Sequence, residues 1–327
     1  MIVSVFKRNY FLQFVLLIIV ALLLWLPAFI TPVSIMHKGS FDMPFFEAIA
    51  NFFPEQNIIN TIVCFLLVVL QGILLNYIFT FYQLSQKTSF FPAFIYIVLM
   101  SSDYRFMTLN SITFANMFII LTLFAFLKCY NKNEGLDEIY LSSVLLAVGT
   151  LFYSPVILLV FWMWVGLFNF KIYKLRSFFV SIFGFLTPFL VLFVYYYLTD
   201  NNEIITSFVS QHFAILPDLA FLTQPIQMVY IVYLFLLLAP AFFITLATKN
   251  DQKLSVRKRI STILLLFVFS LLPFIYDVSA STMSLIFAPS AAYMLTIFFF
   301  NIKRNIYSDL YIMVLLVLTI VKILINV

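Results

Sequence analysis

The sequence predicts an all-α, polytopic membrane protein folded as a single integral membrane domain over residues 1–327. Three observations carry this. First, 64% of the residues are hydrophobic and only 9% are charged, against about 25% charged in an ordinary soluble chain. Second, apolar runs near the ~20 residues that a helix needs to cross a bilayer recur along the chain. Third, one threading of those runs places all but Lys38, Arg105 and Lys322 of the 18 Lys and Arg on the same side of the membrane. Lys and Arg near span ends set orientation, and the basic side is the cytoplasmic one. This predicts a bacterial inner-membrane protein with a cytoplasmic N-terminus.

About eleven spans are expected: 11–30, 58–79, 90–101, 112–129, 139–153, 156–170, 177–198, 225–247, 260–276, 283–300 and 306–326. The first is too long for a signal-peptide core and no small-residue cleavage site follows it, so it is expected to remain as an anchor. Three runs, 90–101, 139–153 and 156–170, are too short to span alone. The last two meet at Tyr153-Ser154-Pro155, where proline and its restricted predecessor favour a turn. Helices broken at membrane depth must line a cavity or be covered by protein, and an outward-open cavity is expected. Pro188, Pro240, Pro273 and Pro289 fall inside spans, where proline kinks a helix and frees carbonyls.

Two external segments read as interfacial amphipathic helices. Pro44 to Gln56 gathers Phe45, Phe46, Ile49, Phe52 and Phe53 on one face, with Glu47, Ala50, Asn51 and Glu55 elsewhere. Asn202 to Leu216 gathers Ile204, Ile205, Phe208, Val209, His212 and Phe213.

Composition also excludes functions. Six glycines and no phosphate-cradling loop argue against nucleotide chemistry, and there is no HExxH, GxSxG or Cys/His cluster. Cys64 and Cys129 fall in or beside spans, which argues against a disulfide framework. The net charge of +5 is spread over several loops and calls for no nucleic-acid partner. The 43 Phe and 18 Tyr, with abundant Ile, Asn and Lys, fit an AT-rich genome and a lipid-facing role. No ionisable residue is placed at mid-span. Lys322, late in the last span, is expected to snorkel to the interface, so transport lacks the buried charges and internal repeats that usually accompany it.

What remains is an external constellation. The first outer loop holds His37, Asp42 and Glu47; the loop after the short third span reads Ser101-Ser102-Asp103-Tyr104-Arg105; Asp277 opens a third. A carboxylate can serve as a general base or hold a divalent cation, and an arginine can grip a phosphate with two hydrogen bonds. Asp42 and Asp103 are therefore the candidate catalytic residues, with Arg105 and His37 as candidate cofactor or donor contacts. In aqueous loops such charges are also ordinary, and Asp103 can simply pair with Arg105.

The run "FFPAFIYIVLMSSDYRFMTLNSITFANMFIILTLFAFLKCY", then "EIYLSSVLLAVGTLFYSPVILLVFWMWVGLF" and "FGFLTPFLVLFVYYYLTD", with the opening "MIVSVFKRN", resembles a domain of unknown function found in inner-membrane proteins, chiefly of Bacteroidota. That resemblance implies no site residues. More loosely, the order of elements looks like the C-type glycosyltransferase superfold, whose members have an acidic residue in the first external loop, interfacial helices and short re-entering spans. It implies sugar transfer from a polyprenyl-phosphate-linked donor on the external face, with Asp42 in the first-loop acid position. Many such enzymes carry adjacent acids there, whereas Asp42 and Glu47 are separated. The other expectations are a non-catalytic membrane subunit scaffolding an envelope-biogenesis partner and, third, a transporter.

Overall fold

A computed structural model describes residues 10–32, 42–53, 58–84, 89–132, 134–200, 225–276, 285–302 and 305–326. Among them are twelve α-helices: α1 (Tyr10–Ile30), α2 (Pro44–Phe52), α3 (Ile58–Phe81), α4 (Phe91–Met100), α5 (Ser111–Leu127), α6 (Leu136–Thr150), α7 (Leu159–Asn169), α8 (Leu175–Leu198), α9 (Pro225–Thr248), α10 (Leu254–Tyr276), α11 (Ala288–Asn301) and α12 (Asn305–Asn326). Apart from α2, which is the first of the two expected interfacial helices, each answers to an expected span. The second interfacial segment, 202–216, lies outside the described residues. Among the described residues, five helices are long and apolar enough to cross a membrane: α1, α3, α8, α12 and the run Pro225–Asp251 that contains α9.

The short runs are short helices. At 1.5 Å per residue, the ten residues of α4 reach about 15 Å, half of the ~30 Å hydrocarbon thickness. Every one of those residues is buried, so α4 is a helix hydrophobic all round that protein encloses. It runs parallel to α1: at one end Gln13 Oε1 accepts from the Phe90 amide at 2.9 Å, and at the other Trp25 Nε1 donates to Ser101 Oγ at 2.8 Å. Helices α3 and α11 pack against its remaining sides. The expected 139–153/156–170 pair is α6, a 3₁₀ turn at Ser154–Leu158 and α7, so the break falls where Pro155 predicts it.

Three expectations need correction. The run 283–300 is not one long span, because a 3₁₀ turn at Leu285–Phe287 precedes a 14-residue α11. Pro289 stands in the first turn of α11, where its missing N–H is an orphan anyway, so it starts that helix rather than kinking it. On α2 the buried residues are Pro44, Phe46 and Ala50, with Phe45, Ile49 and Phe53 partly packed and Phe52 86% exposed. The inward stripe is thus rotated by one residue from the expected face, because α2 docks on protein: Phe46 packs on Phe114, and Phe45 on Phe152.

The bundle has two chemically different ends. The lower end joins the α3–α4 and α5–α6 connections to the α7–α8 and α9–α10 connections. There Arg259 donates from Nε to the Leu127 carbonyl at 3.4 Å and lies over the rings of Tyr82 and Tyr130. Asn169 donates to the Lys258 carbonyl at 2.9 Å, Lys132 pairs with Glu138, and Lys174 pairs with Glu134. The described cations on the basic side of the threading gather at this end. At the upper end lie the termini of α1 and α12, the start of α3, and α2.

Helix α8 is held by small residues. Its buried positions are Ser177, Ser181 and Gly184, and a Cβ on Gly184 would come within 2.9 Å of both Ser143 Cβ and the Tyr140 carbonyl oxygen of α6. Small residues allow this backbone approach where lipid supplies no hydrophobic drive between helices. Gly184→Ala should overpack the α6–α8 contact and destabilise by about 1–3 kcal/mol, seen as a lower thermal midpoint in detergent, while Phe183→Ala on the exposed side should leave the midpoint unchanged.

Candidate functional site

Residues 101–110, which leave the α-helix and include a 3₁₀ turn at Tyr104–Met107, link α4 to α5 deep in the bundle and order the upper end. Such backbone is tolerated at membrane depth only when its polar groups find partners and protein covers it. Both conditions hold. The Ser101 and Ser102 amides donate to the Ile97 and Leu99 carbonyls at 2.9 and 3.2 Å, and the Phe106 amide to the Asp103 carbonyl at 3.0 Å. Cys64 of α3 places its Sγ 3.5 Å from the Phe106 carbonyl. Asn110 caps α5: its Oδ1 accepts from the Thr113 amide at 2.8 Å, and its Nδ2 donates to the Thr108 carbonyl at 2.9 Å. The Tyr104 hydroxyl donates to the Thr31 carbonyl at the end of α1. Below this, Tyr96 donates to Gln71 Oε1 at 2.7 Å while Gln71 Nε2 donates to the Thr113 carbonyl at 2.7 Å, tying α3, α4 and α5 through one polar chain.

In this segment the charge reading of the sequence changes. Asp103 is not an aqueous loop acid, and Lys322 does not snorkel. The Lys322 Nζ lies 3.1 Å from Asp103 Oδ2, with each side chain 1% exposed. The last helix thus delivers an ammonium to the segment between α4 and α5. The ring of Tyr230 on α9 faces the same ammonium at 5.1 Å and is fully buried. One turn earlier on the same face of α9, Gln227 is 1% exposed, and its Oε1 finds no hydrogen-bond donor among the described residues. Taking a charge into the bilayer interior is costly, and a buried ion pair persists only with good geometry and a reason to be there.

Asp42 is placed by backbone. It forms an antiparallel bridge with Tyr153, the Met43 amide donates to the Phe152 carbonyl at 3.3 Å, and the Phe45 amide to the Leu151 carbonyl at 3.2 Å. The first upper loop is therefore stitched onto the break between α6 and α7. The Asp42 side chain is 7% exposed. Phe152 stacks between Phe114 and Phe118 at 5.2 and 5.4 Å and meets Phe45 edge-on at 5.7 Å, which locks the turn to α5 and α2.

Of the other candidates, His37 and Asp277 lie outside the described residues, as does the side chain of Arg105, whose backbone belongs to the 3₁₀ turn Tyr104–Met107. No group of three or more His, Cys, Asp or Glu that could hold a metal ion occurs among the described residues. Lys322 is the residue that sequence reasoning missed as a site. Its signal was present, a lysine flanked by Val321 and Ile323 several residues inside the final apolar run, but its partner is distant in the chain. Comparison with protein-family models, curated proteins and solved structures finds no match.

Removing one member of a buried pair strands the other, at about 3–5 kcal/mol, whereas replacing both removes the charges together. Asp103→Asn and Lys322→Met should each lower the thermal midpoint, and the double variant should be more stable than the Lys322→Met single variant. A strictly additive cycle would mean that the two groups do not interact.

Proposed function

We propose that this protein transfers a sugar, or a related group, from a polyprenyl-phosphate-linked donor to an acceptor on the upper face of the bundle. The observation that carries the reading is the docking of Asp42 on the α6–α7 break. A nearly buried carboxylate is fixed by backbone hydrogen bonds beside helices too short to cross the bilayer, where a lipid-linked substrate and an aqueous acceptor can meet. Asp42 deprotonates the acceptor hydroxyl or holds a divalent cation beside it, and Arg105 and His37 are the proposed contacts to the donor. A lipid-linked donor fits because nucleotide-activated sugars do not reach the outer face of an inner membrane.

The sidedness is part of the proposal. The lower end, with Lys128, Lys132, Lys171, Lys174, Arg176, Lys249, Lys253, Arg257, Lys258 and Arg259, faces the cytoplasm of a bacterial inner membrane. Reporter fusions after Asn133 and Asn250 should then report the cytoplasm, and one after Val327 the outside; the reverse pattern inverts the site.

A second reading is favoured by the Asp103–Lys322 pair. A candidate acid neutralised by a buried lysine suits a non-catalytic subunit, in which the pair fixes the fold and an envelope-biogenesis partner supplies the chemistry. The two readings separate on Asp42→Asn. Loss of a general base costs about 10²–10⁴-fold in rate, so the transferase reading predicts that this variant folds normally in detergent and loses transfer by that factor in membranes. Unchanged function, together with a membrane partner co-purifying in stoichiometric amount, would select the subunit reading.

A further inference from the structure

We propose that Arg259, Tyr130 and Lys128 hold the phosphodiester headgroup of an anionic phospholipid at the lower boundary of the bundle. This site lies at the opposite end from Asp42 and stands whether or not transfer occurs there.

Basic residues at this end follow from membrane orientation, and their charge alone assigns no ligand. The placement of Arg259 goes beyond that. Its Nε donates to the carbonyl of Leu127, the last residue of α5, one of the carbonyls that a helix C-terminus leaves open. Its guanidinium lies over the Tyr82 ring at 4.5 Å and over the Tyr130 ring at 5.4 Å. Tyr82 is itself locked, buried and with its hydroxyl donating to the Phe124 carbonyl at 3.0 Å. The guanidinium is therefore held in place but partly exposed, with one of its five N–H groups used. Its Nη atoms hydrogen-bond to no described residue. Among the described residues no carboxylate pairs with it: Glu138 is taken by Lys132, and Glu134 by Lys174 and Arg176.

Two more donors stand beside it. Tyr130 is partly exposed, its ring is set edge-on against Phe170 at 5.7 Å, and its hydroxyl has no hydrogen-bond partner among the described residues. Lys128 is exposed, with its Nζ 4.2 Å from the centre of the Phe124 ring, which lies 6.0 Å from that of Tyr82. A guanidinium fixed in place, with N–H groups to spare, grips a phosphate through two charge-assisted hydrogen bonds, and the phenol and the ammonium add to them. Arg257 and Lys258 precede Arg259 near the N-terminus of α10, whose first turn holds no acid, so the helix dipole and three cations share one sign and favour an anion. A lipid fits better than free phosphate because the aromatic platform continues into apolar surface. The Phe81 ring packs on Tyr82 at 5.0 Å and on Phe124 at 5.9 Å, and Tyr77 packs on Phe124 at 6.0 Å. Phe81 and Tyr77 are 55% and 53% exposed, so an acyl chain laid on them keeps its headgroup beside the cations. Basic sites between helices at the bilayer boundary hold anionic headgroups by this combination of charge and apolar contact.

Native mass spectrometry of the full chain in detergent tests this, with phosphatidylglycerol and phosphatidylcholine as probes and inorganic phosphate as competitor. Phosphatidylglycerol should bind about tenfold more tightly than phosphatidylcholine, and an excess of inorganic phosphate should not displace it. Arg259→Gln should weaken phosphatidylglycerol binding by about tenfold. Tyr130→Phe, which keeps the ring and removes only the hydroxyl, should weaken it by about threefold or more. Lys174→Gln, which removes a cation of the same end already paired with Glu134, should leave it unchanged. Should Arg259→Gln fail to fold, Tyr130→Phe carries the test, since it preserves every ring contact. Unchanged binding in either Arg259→Gln or Tyr130→Phe overturns the proposal. So does an equal loss in Lys174→Gln, the mark of diffuse attraction alone, or displacement of the lipid by inorganic phosphate.

Discussion

Backbone polar groups cannot be left unpaired in a bilayer, and the structure depends on how this is met at residues 101–110. Helix α4 is only about half as long as the hydrocarbon thickness, so the chain leaves the α-helix while still enclosed by the bundle. The solution is enclosure. Helices α1 and α3 and the short α11 surround α4, the Tyr96–Gln71 chain ties α3, α4 and α5, and Trp25 and the Thr31 carbonyl meet the turn from α1. Because that turn carries Asp103, the enclosure buries a carboxylate, and the buried carboxylate requires Lys322. The position of the last helix thus follows from an unfinished helix early in the chain.

The same logic links the upper loop to the α6–α7 break. Tyr153 and Pro155 interrupt a run that would otherwise have crossed the membrane, and the freed backbone pairs with residues 42–45 rather than with water. Aromatic packing around Phe152 then makes the junction rigid. Both interruptions lie at the upper end and both bring an acid with them, Asp103 in one case and Asp42 in the other. The lower end is built differently, from cations, tyrosine faces and exposed ion pairs at the bilayer boundary.

Much of this was legible in the sequence, and the parts that were not share a physical cause. Apolar length located eleven helices, five of them within runs long and apolar enough to cross a membrane, and the Tyr153-Ser154-Pro155 turn located the helix break, because both are local signals. The true face of α2 was missed by one position because it docks on Phe114 and Phe152, which amphipathic periodicity cannot see. The shortness of α11 was missed because Leu285–Phe287 continues the apolar pattern while leaving the α-helix, and Pro289 in the first turn was the available clue. The Asp103–Lys322 pair was missed for the deepest reason. Each residue alone fits a bland rule, a loop acid or a snorkelling lysine, and only the tertiary fold brings them together.

The contact between these two side chains can be measured directly. In protein reconstituted into lipid bilayers with ¹⁵Nζ-lysine and ¹³Cγ-aspartate, rotational-echo double-resonance NMR reports nitrogen–carbon proximity. Direct-contact dephasing that disappears in both Asp103→Asn and Lys322→Met is the predicted result. A dephasing curve that neither substitution changes would show that Lys322 does not meet Asp103 in the membrane, and would contradict the account at its centre.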